Sequence, residues 1–387
     1  MNLQKFIIFS VLFLDIIWIA IIIPAFPELK AYYHITDFQV TLGLTVYSLC
    51  AFLAAPLLGQ LSDKFGRKKP LALCIAGTML SYIILLITKQ YRVFLFSRVI
   101  NGLTWGNTSI IQAILTDISP NKEVKSKNFW LMGMFFGLWF IIWPIVGSLL
   151  LKTGSVTTIF RFGSLFALLE LFLIIFHFSN TNHPIPNKEL SYNSFNIMRK
   201  YFRKPEFRNF LVSIFFLWVG GFMINVTQSL YMHTLFGTSG EQYGYYLAIA
   251  GLLWAINMGF MVPKFRTKNF STKMLITGAH IALIIGYSLV GMSHTINQFL
   301  LFFYGTIFLS GFYMPVYNIV IMSHTKPDIV GELSGMMGGL QSMLMFIWPL
   351  IGGLLLGLKF NVYYGAVLMF LLSLSIMARY IIGTEKL

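Results

Sequence analysis

The chain alternates between long apolar segments and short polar ones. Because a helix that spans a bilayer takes about 20 consecutive apolar residues, this pattern predicts twelve spanning helices in the 387-residue chain. The predicted spans are 6–26, 40–58, 71–88, 93–116, 129–151, 159–178, 208–232, 242–262, 274–292, 298–322, 334–357 and 362–382. The predicted fold class is therefore an all-α polytopic membrane protein.

The longest polar interruption divides the spans into two groups of six. Residues 179–207 carry three prolines and a basic cluster, and they predict a cytoplasmic linker. The predicted domains are an N-terminal six-helix bundle over 1–178 and a C-terminal six-helix bundle over 208–387.

The two halves share short sequence matches. Trp143-Pro-Ile-Val-Gly147 recurs as Trp348-Pro-Leu-Ile-Gly352, an offset of 205 residues. Lys64-Phe65 recurs in the same order as Lys264-Phe265. The matching order predicts a duplication, and therefore two pseudo-symmetric bundles with the same orientation in the membrane.

Composition agrees with a membrane protein. Hydrophobic residues make up 57% of the chain and charged residues 11%, with a mean hydropathy of +0.75. Because soluble domains carry roughly a quarter charged residues, this chain lacks the charge to cover a surface that faces water.

The positive charge is distributed unevenly along the chain. With the N-terminus placed in the cytoplasm, 21 of the 28 lysines and arginines fall on the cytoplasmic side. This positive-inside asymmetry predicts that both termini are cytoplasmic and that the chain lies in the cell inner (plasma) membrane. No basic segment is long enough to form a nucleic-acid-binding module, so the expected partner is the lipid bilayer and not nucleic acid.

A charged, glycine-containing stretch separates the second and third spans. It reads Gly59-Gln-Leu-Ser-Asp63-Lys-Phe-Gly66-Arg67-Lys68, and we call residues 59–68 the charged turn. The stretch predicts a tight hairpin in which the glycines permit positive φ and close helix approach.

The charged turn resembles the signature loop of the major facilitator superfamily, Gly-x-Leu-x-Asp-(Arg/Lys)-x-Gly-Arg-(Arg/Lys). Three further segments resemble the twelve-helix drug:proton antiporter branch, which includes tetracycline exporters. They are Leu14-Asp15 with Pro24-Ala-Phe-Pro27, Arg98 with Gly102, and Gly137 with Pro144-Ile-Val-Gly147. The resemblance implies two six-helix bundles that transport a solute by alternating access.

The resemblance also implies a charge cluster that latches the cytoplasmic face shut. Asp63 is expected to meet the start of the eleventh helix near Ser334-Gly335, where the helix dipole is positive. The alternative is a charged loop that only fixes orientation. The candidate latch residues are Gly59, Asp63, Gly66, Arg67, Lys68 and Asp117.

Three ionisable residues fall inside predicted spans. A charge in the membrane costs several kcal/mol unless it is paired or protonated, so Asp15 is the candidate proton carrier, with a structural hydrogen bond as the alternative. Arg98 is the candidate counter-ion of Asp15 or an anchor for substrate. Glu170 is either a second proton site or a structural partner of a polar neighbour.

Polar and aromatic residues within the spans are candidates for the substrate cavity. The alternative role for the polar residues is hydrogen bonding between helices. Trp139, Trp143 and Trp348 stand where the antiporter pattern usually has glycine, which predicts different packing or an aromatic cavity wall. His280 is expected to be structural. The candidate cavity residues are Asn101, Gln112, Trp139, Trp143, Asn225, Gln228, Trp254, Tyr317, Asn318 and Gln341.

No nucleophile–base spacing, phosphate loop or metal cluster is present in the sequence, so no enzyme activity, cofactor or metal is expected. The resemblance implies a secondary transporter, most simply a monomer that exports a small hydrophobic compound in exchange for protons. Two alternatives stay open. One is a proton-coupled metabolite or siderophore transporter, including an importer; the other is a membrane sensor that transports nothing.

Overall fold

The computed structural model describes residues 3–15, 21–87, 89–181, 203, 205–257, 272–311 and 330–384. Within these ranges the chain is helical and contains no strand. Five described helical segments are long and apolar enough to cross a membrane: Asp37–Ala55, Lys68–Ile87, Val156–His177, Arg208–Phe236 and Met274–Gly291. Four shorter apolar segments accompany them: Ile141–Lys152, Ile296–Ser310, Met343–Gly357 and Val362–Ala378.

The chain folds into two compact units. The first is Met1–Tyr192 together with Thr238–Ala248, and the second is Asn193–Gly237 together with Ile249–Leu387.

The first unit contains eight described helices and the beginning of a ninth. The eight are α1 (Leu3–Asp15), α2 (Phe26–Tyr33), α3 (Asp37–Phe65), α4 (Lys68–Ile87), α5 (Tyr91–Leu103), α6 (Asn107–Asp117), α7 (Lys122–Thr153) and α8 (Val156–Phe172). A π-helical turn, Leu173–His177, follows α8 directly.

The second unit is built from the remaining described helices. These are α9 (Pro205–Phe236), α10 (Gly240–Ile256), α11 (Thr272–Gly291), α12 (Ile296–Ser310), α13 (Val330–Gly357) and α14 (Val362–Thr384). The start of α10 belongs to the first unit.

Local sequence signals account for several helix starts. The Thr36 hydroxyl accepts a hydrogen bond from the Gln39 amide at 3.3 Å, and the Gln39 side chain accepts one from the Thr36 amide at 2.9 Å. This reciprocal capping box satisfies two backbone donors that the first turn of α3 leaves open. Asn121 caps α7 with a single bond, in which its side-chain oxygen accepts from the Val124 amide at 2.9 Å.

The predicted span 93–116 is two helices in the structure. α5 ends at Leu103 and α6 begins at Asn107. The Thr104 hydroxyl donates to the Ile100 carbonyl at 2.9 Å, and Gly106 departs from helical geometry with φ −134° and ψ 0°. A hydroxyl that bonds back to the preceding turn and a flexible glycine together permit this break.

Glycines set the closest helix contacts within each unit. A Cβ on Gly163 of α8 would lie 2.5 Å from the Tyr82 ring of α4, and one on Gly220 of α9 would lie 2.6 Å from the Phe370 ring of α14. Small residues of this kind let membrane helices approach each other closely. The packing of α4 against α8 in the first unit has its counterpart in the packing of α11 against α14 in the second.

Candidate functional site

Most of the charged turn is helical. α3 continues through Asp63 and Lys64 to Phe65, and α4 begins at Lys68. The expected hairpin over residues 59–68 is therefore reduced to Gly66 and Arg67. Gly66 has φ +87°, the left-handed region that a residue with a Cβ seldom adopts, so this glycine is required by the backbone. Gly59 is helical and faces the Ser109 side chain of α6.

Arg67 is the centre of the charged turn. Its Nε donates to Asp117 Oδ2 at 2.9 Å, and its terminal nitrogen donates to Ser62 Oγ at 2.8 Å and also to Asp63 Oδ1. The arginine is 7% exposed, so its charge is largely removed from water. The planar guanidinium has donors enough to join these groups at once, and it thereby ties the end of α3 to the end of α6.

The electrostatics favour a charged Arg67. Burial alone would lower the pKa of the guanidinium, but its hydrogen bonds and charge interactions with Asp117 and Asp63 outweigh burial and raise the pKa above its usual value. Charge-assisted hydrogen bonds are the stronger kind. The cluster is therefore held together by full charges and not by dipoles alone.

Lys68 extends the same cluster towards the end of the first unit. Its Nζ donates to the Ile175 carbonyl at 2.8 Å, and its backbone amide donates to Asn180 Oδ1 at 2.9 Å. The structure thus brings five of the six predicted latch residues into one continuous surface around Arg67, while Gly59 lies one turn before Asp63 on α3. Ser62 is a member of the cluster that sequence reasoning missed, because it stands at a variable position of the signature.

Asp15 lies at the end of α1 and is 3% exposed. Its Oδ1 accepts a hydrogen bond from the Asn107 side-chain amide. Its Oδ2 is buried and receives no hydrogen bond from the described part of the chain. A buried carboxylate to which the described residues offer one neutral donor is costly to ionise.

The break between α5 and α6 explains how Asn107 reaches Asp15. Because α6 begins at Asn107 and contacts α1, the Asn107 side chain lies at a helix start beside α1. The sequence places Asn107 among many polar residues within the spans, and it gives no sign that this asparagine pairs with an acid 92 positions earlier.

Arg98 is 2% exposed, and its Nε donates to Ser97 Oγ at 3.3 Å. Its guanidinium carbon lies 5.6 Å from the centre of the Phe94 ring, within the range of a cation–π interaction. Glu170 on α8 is also buried, and its carboxyl lies near enough to Asp15 to interact with it electrostatically. α1 packs on α8, which brings the two acids to the same side of the unit.

Trp143 of α7 is packed in the core of the first unit. Its indole N–H donates to the Phe13 carbonyl at 3.2 Å, and its ring centre lies 5.1 Å from that of Phe13 and 6.0 Å from that of Phe166. The tryptophan therefore holds α7 against α1 two residues before Asp15. In contrast, Trp348 Nε1 is buried and has no acceptor among the described residues.

The other predicted cavity residues occupy different environments. Asn101 is buried and donates to Ser81 Oγ at 3.0 Å, which joins α5 to α4. Gln228 is buried, whereas Gln112 and Asn225 are exposed and Trp254 is half-buried. Tyr317 and Asn318 lie outside the described residues, as do the side chains of Trp139 and Gln341.

A second polar cluster joins three helices of the second unit. His280 of α11 has one ring nitrogen 2.9 Å from the Ile276 carbonyl and the other 2.9 Å from Ser373 Oγ of α14. Ser373 and Ser213 exchange hydrogen bonds with each other's carbonyl oxygens at 2.8 and 3.0 Å. These contacts bond α9, α11 and α14 together, the structural role expected for His280.

Glu28 of α2 contacts the start of α10, which the sequence did not indicate. Its Oε1 accepts a hydrogen bond from the Gly240 amide, the first residue of α10, at 2.6 Å. A carboxylate at a helix N-terminus is favoured by the helix dipole.

No group of three or more His, Cys, Asp or Glu side chains suited to a metal occurs in the described ranges.

Apolar helices, acids buried within them and a charged turn at their ends define a polytopic membrane protein of the transporter class. The model of the Major Facilitator Superfamily matches residues 8–349, and the chain belongs to this family. It is accordingly a membrane transporter of small molecules and not an enzyme.

Relatives of known function cover nearly the whole chain. The class C tetracycline resistance protein of Escherichia coli is 26% identical over 362 residues, covering 90% of this chain and 89% of its own. The quinolone resistance protein NorA of Staphylococcus aureus is 24% identical over 393 residues, covering 100% and 97%. This agrees with the expected resemblance to drug-efflux transporters.

Solved structures agree with the fold. The human organic anion transporter MFSD10 (TETRAN) superposes with a TM-score of 0.70 at 21% identity, over 97% of this chain and 99% of its own. The nucleoside transporter NupG superposes with a TM-score of 0.75 at 14% identity, over 98% of each chain. At these identities the likeness establishes the major facilitator fold alone.

Proposed function

We propose that this transporter exports a small, hydrophobic compound in exchange for protons by alternating access. The observation that carries the proposal is Asp15, a buried acid with one amide donor and one oxygen that the described residues leave unbonded. Its membrane environment favours the neutral form, whereas contact with water favours the ion. A carboxyl that meets the two environments in turn takes up a proton on one side and releases it on the other.

Glu170 and Arg98 complete the proposed coupling group. Asp15 and Glu170 are both buried and interact electrostatically, so ionising both acids at once is unfavourable. Glu170 can therefore serve as a second proton site. Arg98 supplies a buried positive charge in the same unit, which suits a counter-ion for Asp15 or an anchor for substrate.

The substrate class is proposed from the relatives. Two of them are named for resistance to tetracycline and to quinolones, compounds built on fused rings that carry polar groups. The predicted cavity residues of this chain, among them Trp254 and Gln228, combine aromatic surface with uncharged polar groups, as sites for such compounds do.

The charged turn is proposed to latch the cytoplasmic face of the transporter. The buried Arg67 holds Asp63 and Asp117 in one cluster, and the family resemblance implies that a cluster of this type stabilises one state of the transport cycle. In this proposal both termini and the charged turn face the cytoplasm, and the protein acts as a monomer in the inner (plasma) membrane.

Flux measurements in proteoliposomes test the proposal. Liposomes are loaded with tetracycline or a fluoroquinolone, and the external medium is acidified. An antiporter is expected to release the drug faster under this gradient, whichever way it is inserted, because protons and drug move in opposite directions. The same assay with siderophores, nucleosides, amino acids and organic anions covers the metabolite alternative, in which external acid drives uptake.

The variant Asp15→Asn tests the proton carrier within this assay. It is expected to retain drug binding and drug–drug exchange without a gradient, and to lose acceleration by the pH gradient. Glu123→Gln is the matched control, because Glu123 is an exposed acid in the first turn of α7. Normal gradient-driven flux in Asp15→Asn would exclude this carboxyl as the carrier, and binding without flux of any compound would favour a sensor.

A further inference from the structure

A short segment after the π-helical turn lies directly on the charged turn. The chain becomes extended at Phe178, with φ −96° and ψ 133°. The Phe178 side chain is 1% exposed, so the segment that follows starts from a fixed point. We call residues 179–181 the strap; they are the first three residues of the predicted linker and the last described residues before residue 203.

Gln4 of α1 holds the beginning of the strap. Its side-chain amide donates to the His177 carbonyl at 3.1 Å and accepts from the Ser179 backbone amide at 3.0 Å. These two bonds flank the buried Phe178, and together they satisfy backbone groups that the end of a helix leaves open. The strap is thus fixed to α1 as well as to the helix it follows.

Asn180 sits on the backbone bend of the charged turn. Its Oδ1 accepts the Lys68 amide at 2.9 Å, at the first residue of α4. A Cβ on Gly66 would lie 2.7 Å from Asn180 Nδ2. Gly66 is therefore constrained twice, by its positive φ and by the side chain that lies over it.

Thr181 reaches the ion cluster itself. Its hydroxyl donates to Asp117 Oδ2 at 3.3 Å, and this is the same oxygen that accepts from Arg67 Nε at 2.9 Å. Because the two donors share one acceptor atom, a movement that separates Arg67 from Asp117 also changes the bond to Thr181. The strap therefore contacts the cluster at two points, the Lys68 backbone amide of α4 and the Asp117 carboxylate.

We propose that the strap, which is the start of the predicted linker, is a positioning element of the charged turn through Asn180 and Thr181. It orients the first residue of α4 and the Asp117 carboxylate so that Arg67 meets both acids. This inference rests on the proposed role of the charged turn in transport. It adds residues that lie outside the signature sequence.

Amide hydrogen exchange and flux, measured on the same purified full-length variants, test the strap. Asn180→Ala removes the acceptor of the Lys68 amide, and a lost hydrogen bond of about 1 kcal/mol corresponds to roughly fivefold faster exchange. We expect this acceleration in the peptide over residues 66–69 together with a lower flux. Asn180→Asp retains an acceptor oxygen and is expected to restore slow exchange.

Thr181→Val gives an independent test of the contact with Asp117, and Thr181→Ser, which keeps the hydroxyl, is its control. Ser179→Ala is the control for a substitution elsewhere in the strap. Ser179 contacts Gln4 through its backbone amide, which alanine retains. Thr181→Val is expected to lower flux, while both controls keep it near the parent rate. If Asn180→Ala fails to fold, Thr181→Val still decides the question.

The outcomes separate the strap from the latch. Unchanged exchange and flux in both Asn180→Ala and Thr181→Val overturn the strap, even if Asp63→Asn is inactive. Faster exchange with unchanged flux also overturns it, since the docked segment would then have only a structural role. Normal flux in Asp63→Asn, with impaired flux in the strap variants, instead removes the latch role of Asp63 and leaves the strap standing.

Discussion

A single guanidinium organises the charged turn, and the acids around it are not equivalent. Asp117 shares one oxygen between Arg67 and Thr181, whereas the Asp63 side chain is more exposed than that of Asp117, 28% against 19%, and lies four residues before Arg67. Removing the Asp63 charge therefore leaves Arg67 still paired with Asp117. We infer that Asp63 contributes less to stability than to the state that the charged turn stabilises.

Asp63→Asn is accordingly expected to express and fold like the parent chain but to lose transport. The amide keeps the shape of the side chain and removes its charge, and the buried Arg67 stays paired with Asp117. The measurements are membrane yield, thermal unfolding in detergent and flux. Asp37→Asn, in the ion pair with Lys30 at 2.7 Å, is the matched control. Parent-level flux in Asp63→Asn would contradict the latch.

At the residue scale the sequence indicated candidate groups but not what they contact. Asp15 was identifiable because an acid in an apolar span is costly. Its partner Asn107 was not, because a contact between residues 92 positions apart depends on where α6 begins. Trp143 illustrates the same limit, since its indole bond to the Phe13 carbonyl follows from packing and not from any local pattern.

At the scale of helices, the apolar pattern located most of the described helices but not their ends, and it missed α2 (Phe26–Tyr33). α3 runs to Phe65 instead of ending near residue 58, because polar residues such as Ser62 and Asp63 find partners that keep them in the helix. The break at residues 104–106 was missed for the opposite reason, since Thr104 and Gly106 are common within apolar spans. Hydropathy reports burial in lipid and is insensitive to such local hydrogen bonding.

Close packing of α4 on α8 leads to a prediction at this scale. A Cβ on Gly163 would lie 2.5 Å from the Tyr82 ring, which is itself buried. Gly163→Ala is therefore expected to destabilise the first unit by about 1–3 kcal/mol, the usual cost of overpacking a core. The measurement is a lower melting temperature in detergent.

Gly305→Ala is the matched control for this packing. Gly305 lies within helix α12, and a Cβ there would meet no atom within 4 Å. Because alanine favours a helix by up to about 1 kcal/mol over glycine, the control is expected to melt at or slightly above the parent temperature. Equal melting temperatures of Gly163→Ala and the parent would contradict this prediction, because the Tyr82 ring would then move aside without loss of stability.

At the scale of the whole molecule, family membership and structural comparison establish a major facilitator transporter, while orientation in the membrane stays a prediction from charge. The 21 lysines and arginines on the predicted cytoplasmic side include those around the charged turn. Orientation decides which compartment the proposed latch faces.

Cysteine labelling in intact cells tests this orientation, in a background that carries Cys50→Ala and Cys74→Ala. Lys69 and Lys359 are both exposed but fall on opposite predicted sides of the membrane. A maleimide that cannot cross the membrane is expected to label Lys359→Cys in intact cells, and to label Lys69→Cys and Lys386→Cys only after permeabilisation. The reverse pattern would place the charged turn outside the cell, and a cytoplasmic latch would then be impossible.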